Sequence, residues 1–141
     1  MASKQHRLRN LGLVTLFNSC TKKELEQVDR AGDQVSMAAG ETVITQGEIG
    51  REAFVILDGA VTVKRNKRKV ATLGAGRMVG ELSLLDSGPR TATVTCDTDC
   101  TFLVIGQQRF RGVVEEVPAI THKLMVAMAA RLRELDRAVY G

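Results

Sequence analysis

The chain has little of what most catalytic and metal sites are built from. It holds two histidines, His6 and His122, and three cysteines, Cys20, Cys96 and Cys100. A bound metal needs clustered nitrogen, sulfur or carboxylate ligands. Here one histidine lies in a polar amino-terminal stretch and the other in the last amphipathic segment, so each is expected to be solvated and no metal site is expected. Three cysteines cannot all pair within one chain, which suits a reducing compartment; they read as small buried or half-buried residues. No serine, cysteine or threonine has a recognisable base partner, so no catalytic residue is expected and the chain does not read as an enzyme. The phosphate-loop pattern G-x-x-x-x-G-K-[ST] is missing, and no apolar run approaches the roughly 20 residues that span a bilayer. The opening MASKQHRLRN is polar and basic, without the apolar centre of a secretory signal. A cytoplasmic protein without membrane contact is the expectation.

What is present fits one globular domain over residues 1–141. Hydrophobic residues make up 44% and charged residues 26%, enough apolar material for a core and too much for a disordered tail. The net charge of +4 permits an anionic ligand. Much of the excess is local: Lys64, Arg65, Lys67, Arg68 and Lys69 surround Asn66 between two strand-like runs, as in a solvated hairpin turn. Nucleic-acid binding is therefore not expected of this chain alone.

Three regions differ in pattern. Thr21 and Glu24 have the spacing of a capping box, opening a short helix that carries Leu25 and Val28 and closes at Gly32. Residues 33–106 break into short apolar or alternating pieces punctuated by glycine, among them ETVITQGEIG, EAFVILDG, AVTVKRN and TFLVIG. Strands at this spacing predict an antiparallel, jelly-roll-like β barrel, with Asp58-Gly59 marking a hairpin. After Gly106 the helical period returns. Phe110, Val113 and Val114 form one short face before Pro118. Ile120, Leu124, Met128, Leu132, Leu135 and Val139 then recur at three- and four-residue steps over 120–140. That long helix is expected to pack on the β core, to act as a movable lid, or to form a dimer seam.

The chemistry concentrates in GELSLLDSGPRTATV, residues 80–94. Arg90 offers a permanently charged planar fork that matches two phosphate oxygens. Glu81 would repel a phosphate, so beside an anion site it makes sense as an acceptor for a neighbouring hydroxyl. One helical turn over 81–85 points unpaired N–H groups toward the Gly80 end, where the missing side chain lets backbone approach a ligand. Charge spacing alone leaves a second reading open, in which Glu81 and Arg90 simply neutralise each other at a sheet end. The glycines Gly74, Gly76 and Gly80 invite a dinucleotide reading as well, but the turn at 86–89 leaves no room for the full helix and return strand it needs.

Gly80, Glu81, Leu82, Ser83, Leu84, Pro89, Arg90, Thr91, Ala92, Thr93 and Val94 follow in order the phosphate-binding cassette of the cyclic nucleotide-binding domain family, which the chain resembles over nearly its whole length. The family occurs in catabolite activator-type regulators, cyclic-nucleotide-dependent kinases and cyclic-nucleotide-gated channels. The resemblance implies an N-terminal helical segment over about residues 8–31, a β core over about 33–106 and C-terminal lid helices over about 107–140. It implies no cofactor and a cyclic nucleotide ligand, with cyclic AMP preferred over cyclic GMP. Arg90 would hold the exocyclic oxygens of the cyclic phosphate, Glu81 the ribose 2′-hydroxyl, and backbone groups of Gly80, Leu82 and Ser83 the rest of the cradle. Thr91 lies where family members reach toward the base. Leu132, Leu135 and Tyr140 are the implied lid contacts, on a C-terminal helix that ligand binding repositions. Two positions depart from the pattern: Val79 replaces a common aromatic and Ser83 a common alanine. The implied partners are a second copy through the C-terminal helix or a regulated protein or domain. The chain would be a sensor in its own right, the ligand-binding fragment of a DNA-binding regulator, or a relic of the fold that serves as a protein-interaction module.

Overall fold

The structure, a computed structural model, describes residues 2–140, apart from the side chain of Tyr140. Helices α1 (Lys4–Leu13) and α2 (Lys22–Arg30), linked by a 3-10 turn at Thr15–Phe17, precede eight strands among the described residues. These are β1 (Gly32–Met37), β2 (Thr42–Ile44), β3 (Glu52–Asp58), β4 (Ala60–Arg65), β5 (Arg68–Gly74), β6 (Met78–Val79), β7 (Thr93–Cys96) and β8 (Cys100–Gly106). A second 3-10 turn, Glu81–Leu84, follows β6, and helices α3 (Gln107–Glu116) and α4 (Pro118–Tyr140) follow β8.

The strands make two antiparallel four-stranded sheets, ordered β1-β8-β3-β6 and β2-β7-β4-β5. This is the expected roll, but as two open sheets; among the described residues no strand pairing closes them into a barrel. Strand β3 shows why. Its AFVIL run is buried on both faces. Ala53, Val55 and Leu57 face a helical layer containing Leu11, Phe17, Val28, Phe110 and Ile120. Phe54 and Ile56 face the space between the sheets with Ile44, Val61, Val94 and Phe102. A strand that must satisfy two apolar layers reads as a continuous run rather than an alternation.

Asp58-Gly59 is not a hairpin, contrary to the sequence expectation. The strands on either side belong to different sheets, β3 pairing with β8 and β4 with β5 and β7. Gly59, at φ 99°, turns the corner so tightly that a Cβ there would lie 2.5 Å from the Asp99 carbonyl oxygen. The basic run does form a hairpin. β4 and β5 close at Arg65↔Arg68, with Asn66 and Lys67 both at positive φ, the signature of a type I′ turn. Gln46 fixes the turn: its side-chain oxygen accepts from the Asn66 N–H and its amide donates to Asn66 Oδ1, both at 2.9 Å.

The capping box forms as expected, with Thr21 Oγ1 accepting from Glu24 N–H and Glu24 Oε1 accepting from Thr21 N–H. Helix α1 starts at Lys4, earlier than the resemblance implies. Ser3 caps it, and Leu8 and Leu11 bury one side. His6 is therefore not merely solvated; its Nε2 lies 3.0 Å from both the Leu57 carbonyl and Asp58 Oδ1, tying α1 to the end of β3. His122 is exposed on α4. Cys96 and Cys100 are buried and Cys20 is partly buried. Helix α4 packs on the core through Ala119, Ile120 and Leu124, while Met128, Leu132, Leu135 and Val139 are exposed. Core packing thus explains the first turns of its stripe and not the rest. No helix among the described residues is long and apolar enough to cross a membrane.

Candidate functional site

The cassette is a loop sewn onto a loop. Residues 86–90 run beside residues 47–50: the Gly47 N–H donates to the Arg90 carbonyl at 2.9 Å, the Arg90 N–H to the Glu48 carbonyl at 2.7 Å, and the Gly50 N–H to the Gly88 carbonyl at 3.3 Å. Pro89 bridges to Ile49 in antiparallel fashion, at a position where its missing N–H costs no ladder bond. This pairing aims Arg90 inward.

The guanidinium of Arg90 is then held from one side. Its Nη1 donates to the Glu52 carbonyl at 2.8 Å and to Ser83 Oγ at 2.9 Å. The carbon of the guanidinium lies 6.0 Å from the Phe54 ring centroid, which in turn meets Phe102 edge to face at 5.8 Å. Two glycines make room: a Cβ at Gly50 would strike the guanidinium, and one at Gly80 would lie 2.7 Å from Nη1. Gly80 also sits at φ 77°, a conformation that side-chain-bearing residues rarely adopt. Burial lowers the pKa of Arg90 from its ordinary value, and the nearby charge of Glu52 partly offsets that. The group stays charged at any relevant pH. No carboxylate bonds it among the described residues.

Glu81 and Arg90 do not pair with each other, which removes the simple ion-pair reading. Glu81 Oε1 instead accepts from Arg131 Nη2 at 3.0 Å, across 50 residues of sequence, and this contact ties α4 to the cassette. Both Glu81 and Arg90 line a cleft of about 1000 Å³, at the upper end of the roughly 300–1000 Å³ of small-molecule sites. Gly80, Leu82, Ser83 and Thr91 line the same cleft, so all six expected binding residues converge there. Its walls include Val63, Leu73, Val79 and Val94 on the inner face of the second sheet and β6. Four arginines (Arg65, Arg77, Arg90, Arg131) face three carboxylates (Glu81, Asp86, Glu134), so the cleft favours an anion. The turn Glu81–Leu84 is 3-10, and its Ser83 N–H donates to the Gly80 carbonyl at 3.1 Å.

Of the lid candidates, Leu135 reaches the rim of the cleft, 64% exposed. Leu132 is 65% exposed and does not line it. The side chain of Tyr140 lies outside the described residues. Arg131, Arg77 and Gly50 were not among the residues singled out in the sequence. Arg65 was read only as part of a solvated turn, yet its Nε donates to the Thr91 carbonyl at 3.1 Å and braces the cassette. Each of these depends on a contact between distant segments, which no local motif reports.

Comparison with known proteins follows the same outline. Residues 34–117 match the family model of the cyclic nucleotide-binding domain. The chain is 30% identical, over 131 residues, to the CRP-like cAMP-activated global transcriptional regulator of Mycobacterium tuberculosis, covering 89% of this chain and 58% of that protein. It superposes on the crystal structure of the Thermus thermophilus catabolite activator protein with a TM-score of 0.81 and 27% identity, covering 89% of this chain and 61% of the other. It also superposes on the regulatory domain of Toxoplasma gondii PKA in co-crystal with cAMP, with a TM-score of 0.73 and 28% identity, covering 82% and 47%. The chain thus spans about half the length of such relatives. With cassette, two-sheet roll and sequence in agreement, it belongs to the cyclic nucleotide-binding domain family.

Proposed function

We propose that this chain is a regulatory sensor domain that binds a cyclic nucleotide, cyclic AMP in preference to cyclic GMP. One observation carries the reading: Arg90 is a half-buried cation, held by a carbonyl and a hydroxyl through Nη1, in a cleft where no carboxylate bonds it among the described residues. A charge removed from water without a partner is costly, so the arrangement favours an anion that arrives from outside. In this reading the exocyclic oxygens of a cyclic phosphate accept from the free side of the fork. Glu81 accepts the ribose 2′-hydroxyl, and backbone groups of Gly80, Leu82 and Ser83 border the phosphate. Thr91 lies at the base end, where a threonine is compatible with either purine. The preference for cyclic AMP is supported by the relatives, one named as cAMP-activated and one crystallised with cAMP.

The whole of residues 1–141 acts here as one unit, without catalysis and without a cofactor, in the cytoplasm. Helix α4 is its output. Ligand draws Leu132, Leu135 and Tyr140 toward the base, and the exposed stripe from Met128 to Val139 meets a second copy of the chain or a regulated protein. Ligand can bias α4 only by its differential affinity for the two arrangements, and a coupling of about 1–3 kcal/mol is typical. The match to a transcriptional regulator, of which this chain covers 58%, favours a second reading as the ligand-binding part of a DNA-binding protein.

A thermal-shift panel of cyclic AMP, cyclic GMP, 5′-AMP, NAD and duplex DNA tests the proposal. Cyclic AMP at a hundredfold its Kd should stabilise the protein by about 2.7 kcal/mol, cyclic GMP less, and 5′-AMP and NAD hardly at all. A panel in which no cyclic nucleotide shifts the midpoint would leave the fold acting as a protein-interaction module.

A further inference from the structure

A second hollow, of about 460 Å³, opens at the basic hairpin and is lined by Gln46, Lys64, Asn66, Lys67 and Thr93. It shares no lining residue with the cleft and lies on the other face of the second sheet. Val63 and Val94, partners across β4 and β7, face the cleft; the next pair, Lys64 and Thr93, lines the hollow. Its polar side chains can be followed one by one. Gln46 Oε1 accepts from the Asn66 N–H, which fixes how that amide is turned, and its Nε2 then donates to Asn66 Oδ1, both at 2.9 Å. Thr93 Oγ1 accepts from the Gln46 N–H at 2.9 Å. Each side-chain oxygen of the hollow is therefore already accepting from protein. What remains is donors: the Asn66 side-chain amide, the second Gln46 amide hydrogen, the Thr93 hydroxyl hydrogen and the ammonium groups of Lys64 and Lys67. No carboxylate pairs with either lysine among the described residues. Lys64 also stands directly opposite Lys69 in the β4–β5 ladder, and like charges in that relation destabilise a sheet.

We infer that this hollow is a second anion site, separate from the nucleotide cleft, and that its ligand is a soluble oligophosphate. Donors without free acceptors select a group that only accepts, and a phosphoryl oxygen takes several hydrogen bonds at once. Lysine serves such a group as a point charge, without the planar fork that Arg90 offers in the cleft. Two ammonium groups on one hollow suit a ligand with more than one negative charge. The volume lies within the roughly 300–1000 Å³ of small-molecule sites and exceeds what a single phosphate fills. A duplex or a membrane would instead be met by charges spread over a wide surface, with affinity growing with the number of phosphates touched. The inference is independent of the cyclic-nucleotide reading of the cleft.

The test is calorimetric titration of the intact chain with sodium tripolyphosphate, with Arg90→Ala as the background so that the cleft is silenced. Tripolyphosphate should still bind that variant, and adding Lys64→Gln and Lys67→Gln should weaken it by about five- to thirtyfold. Inorganic phosphate should bind more weakly than tripolyphosphate. In NMR spectra the backbone amides of Gln46, Lys67 and Thr93 should shift on titration while those of Gly80 and Ser83 stay in place. The two lysine substitutions alone, with Arg90 intact, should leave cyclic AMP affinity unchanged, which also shows that the variant is folded. No binding to Arg90→Ala, undiminished binding after both lysine changes, or shifts confined to the cleft would overturn the site. Duplex DNA and phosphatidylserine vesicles complete the panel. Tighter binding of either than of tripolyphosphate, lost with the same two lysines, would overturn the small-ligand assignment in favour of a docking surface.

Discussion

Ser83 Oγ lies 2.9 Å from Arg90 Nη1, and the seryl side chain is buried beneath the guanidinium. The serine stands where the family commonly has alanine, so this chain gives its arginine one more acceptor than the pattern requires. A side-chain hydrogen bond is worth about 1 kcal/mol net. Ser83→Ala should therefore weaken cyclic AMP binding by about fivefold in calorimetric titration. The bond exists without ligand as well, so the ligand-free protein should also lose up to about 1 kcal/mol of stability in urea.

Gly80 is constrained twice, by its backbone and by its neighbours. At φ 77° and ψ 19° a Cβ costs about 1–2 kcal/mol. The same Cβ would lie 2.7 Å from Arg90 Nη1 and 3.2 Å from the Glu52 carbonyl oxygen. Gly80→Ala should lower stability in urea by about 1–2 kcal/mol and, by pushing the guanidinium off its acceptors, reduce binding by about tenfold. Full affinity in this variant would mean that the placement of Arg90 does not matter.

The amino-terminal helices depend on a contact remote from the cleft. Arg7 meets Asp29 fork to fork, Nε to Oδ1 at 2.8 Å and Nη2 to Oδ2 at 3.1 Å, joining α1 to α2. The hydrogen bond that Arg7 donates to Asp29 raises the Arg7 pKa against the opposing effect of burial. Asp29→Asn removes the charge and strands a partly buried guanidinium, at a cost of about 2 kcal/mol. Urea denaturation should show that loss with cyclic AMP affinity unchanged.

Alkaline pH should expose a buried thiol. Burial, with a hydrogen bond and charge from Cys100, pushes Cys96 up to about 12 from an ordinary 9.0. The unfolded chain therefore releases this proton first. The contribution is complete below pH 9 and is lost between pH 9 and about pH 12, falling by about 1.4 kcal/mol per pH unit within that window. Denaturation at pH 8, 9 and 10 should show a shallower decline for Cys96→Ala than for the wild type, whatever the variant's absolute stability. Parallel declines would contradict the assignment.

The features legible in the sequence are the local ones. The Thr21–Glu24 cap and the Asn66 turn each encode their geometry within a few residues and form as read, whereas the turn expected over 81–85 is a 3-10 turn over Glu81–Leu84 whose Ser83 N–H is taken by the Gly80 carbonyl rather than left unpaired. The corner at Asp58-Gly59 was misread because a tight turn between two apolar runs does not say which strands those runs will join. That is decided by β8, some forty residues later, which pairs with β3 and leaves β4 to β7. Strand β6 has two residues and no pattern of its own. The tie between Glu81 and Arg131 spans 50 residues, and the stripe on α4 has the same period whether it packs on its own core, on a ligand or on a second copy.

The central claim is that an unneutralised Arg90 makes the cleft a site for a cyclic phosphate, and calorimetric titration of cyclic AMP into the wild type and Arg90→Ala tests it most directly. Two charge-assisted hydrogen bonds of about 1.5–3 kcal/mol each, partly replaced by water, correspond to a loss of about ten- to a thousandfold in affinity, and that is the predicted result. Equal affinity in the two proteins, or no heat of binding in the wild type at millimolar ligand, would contradict it.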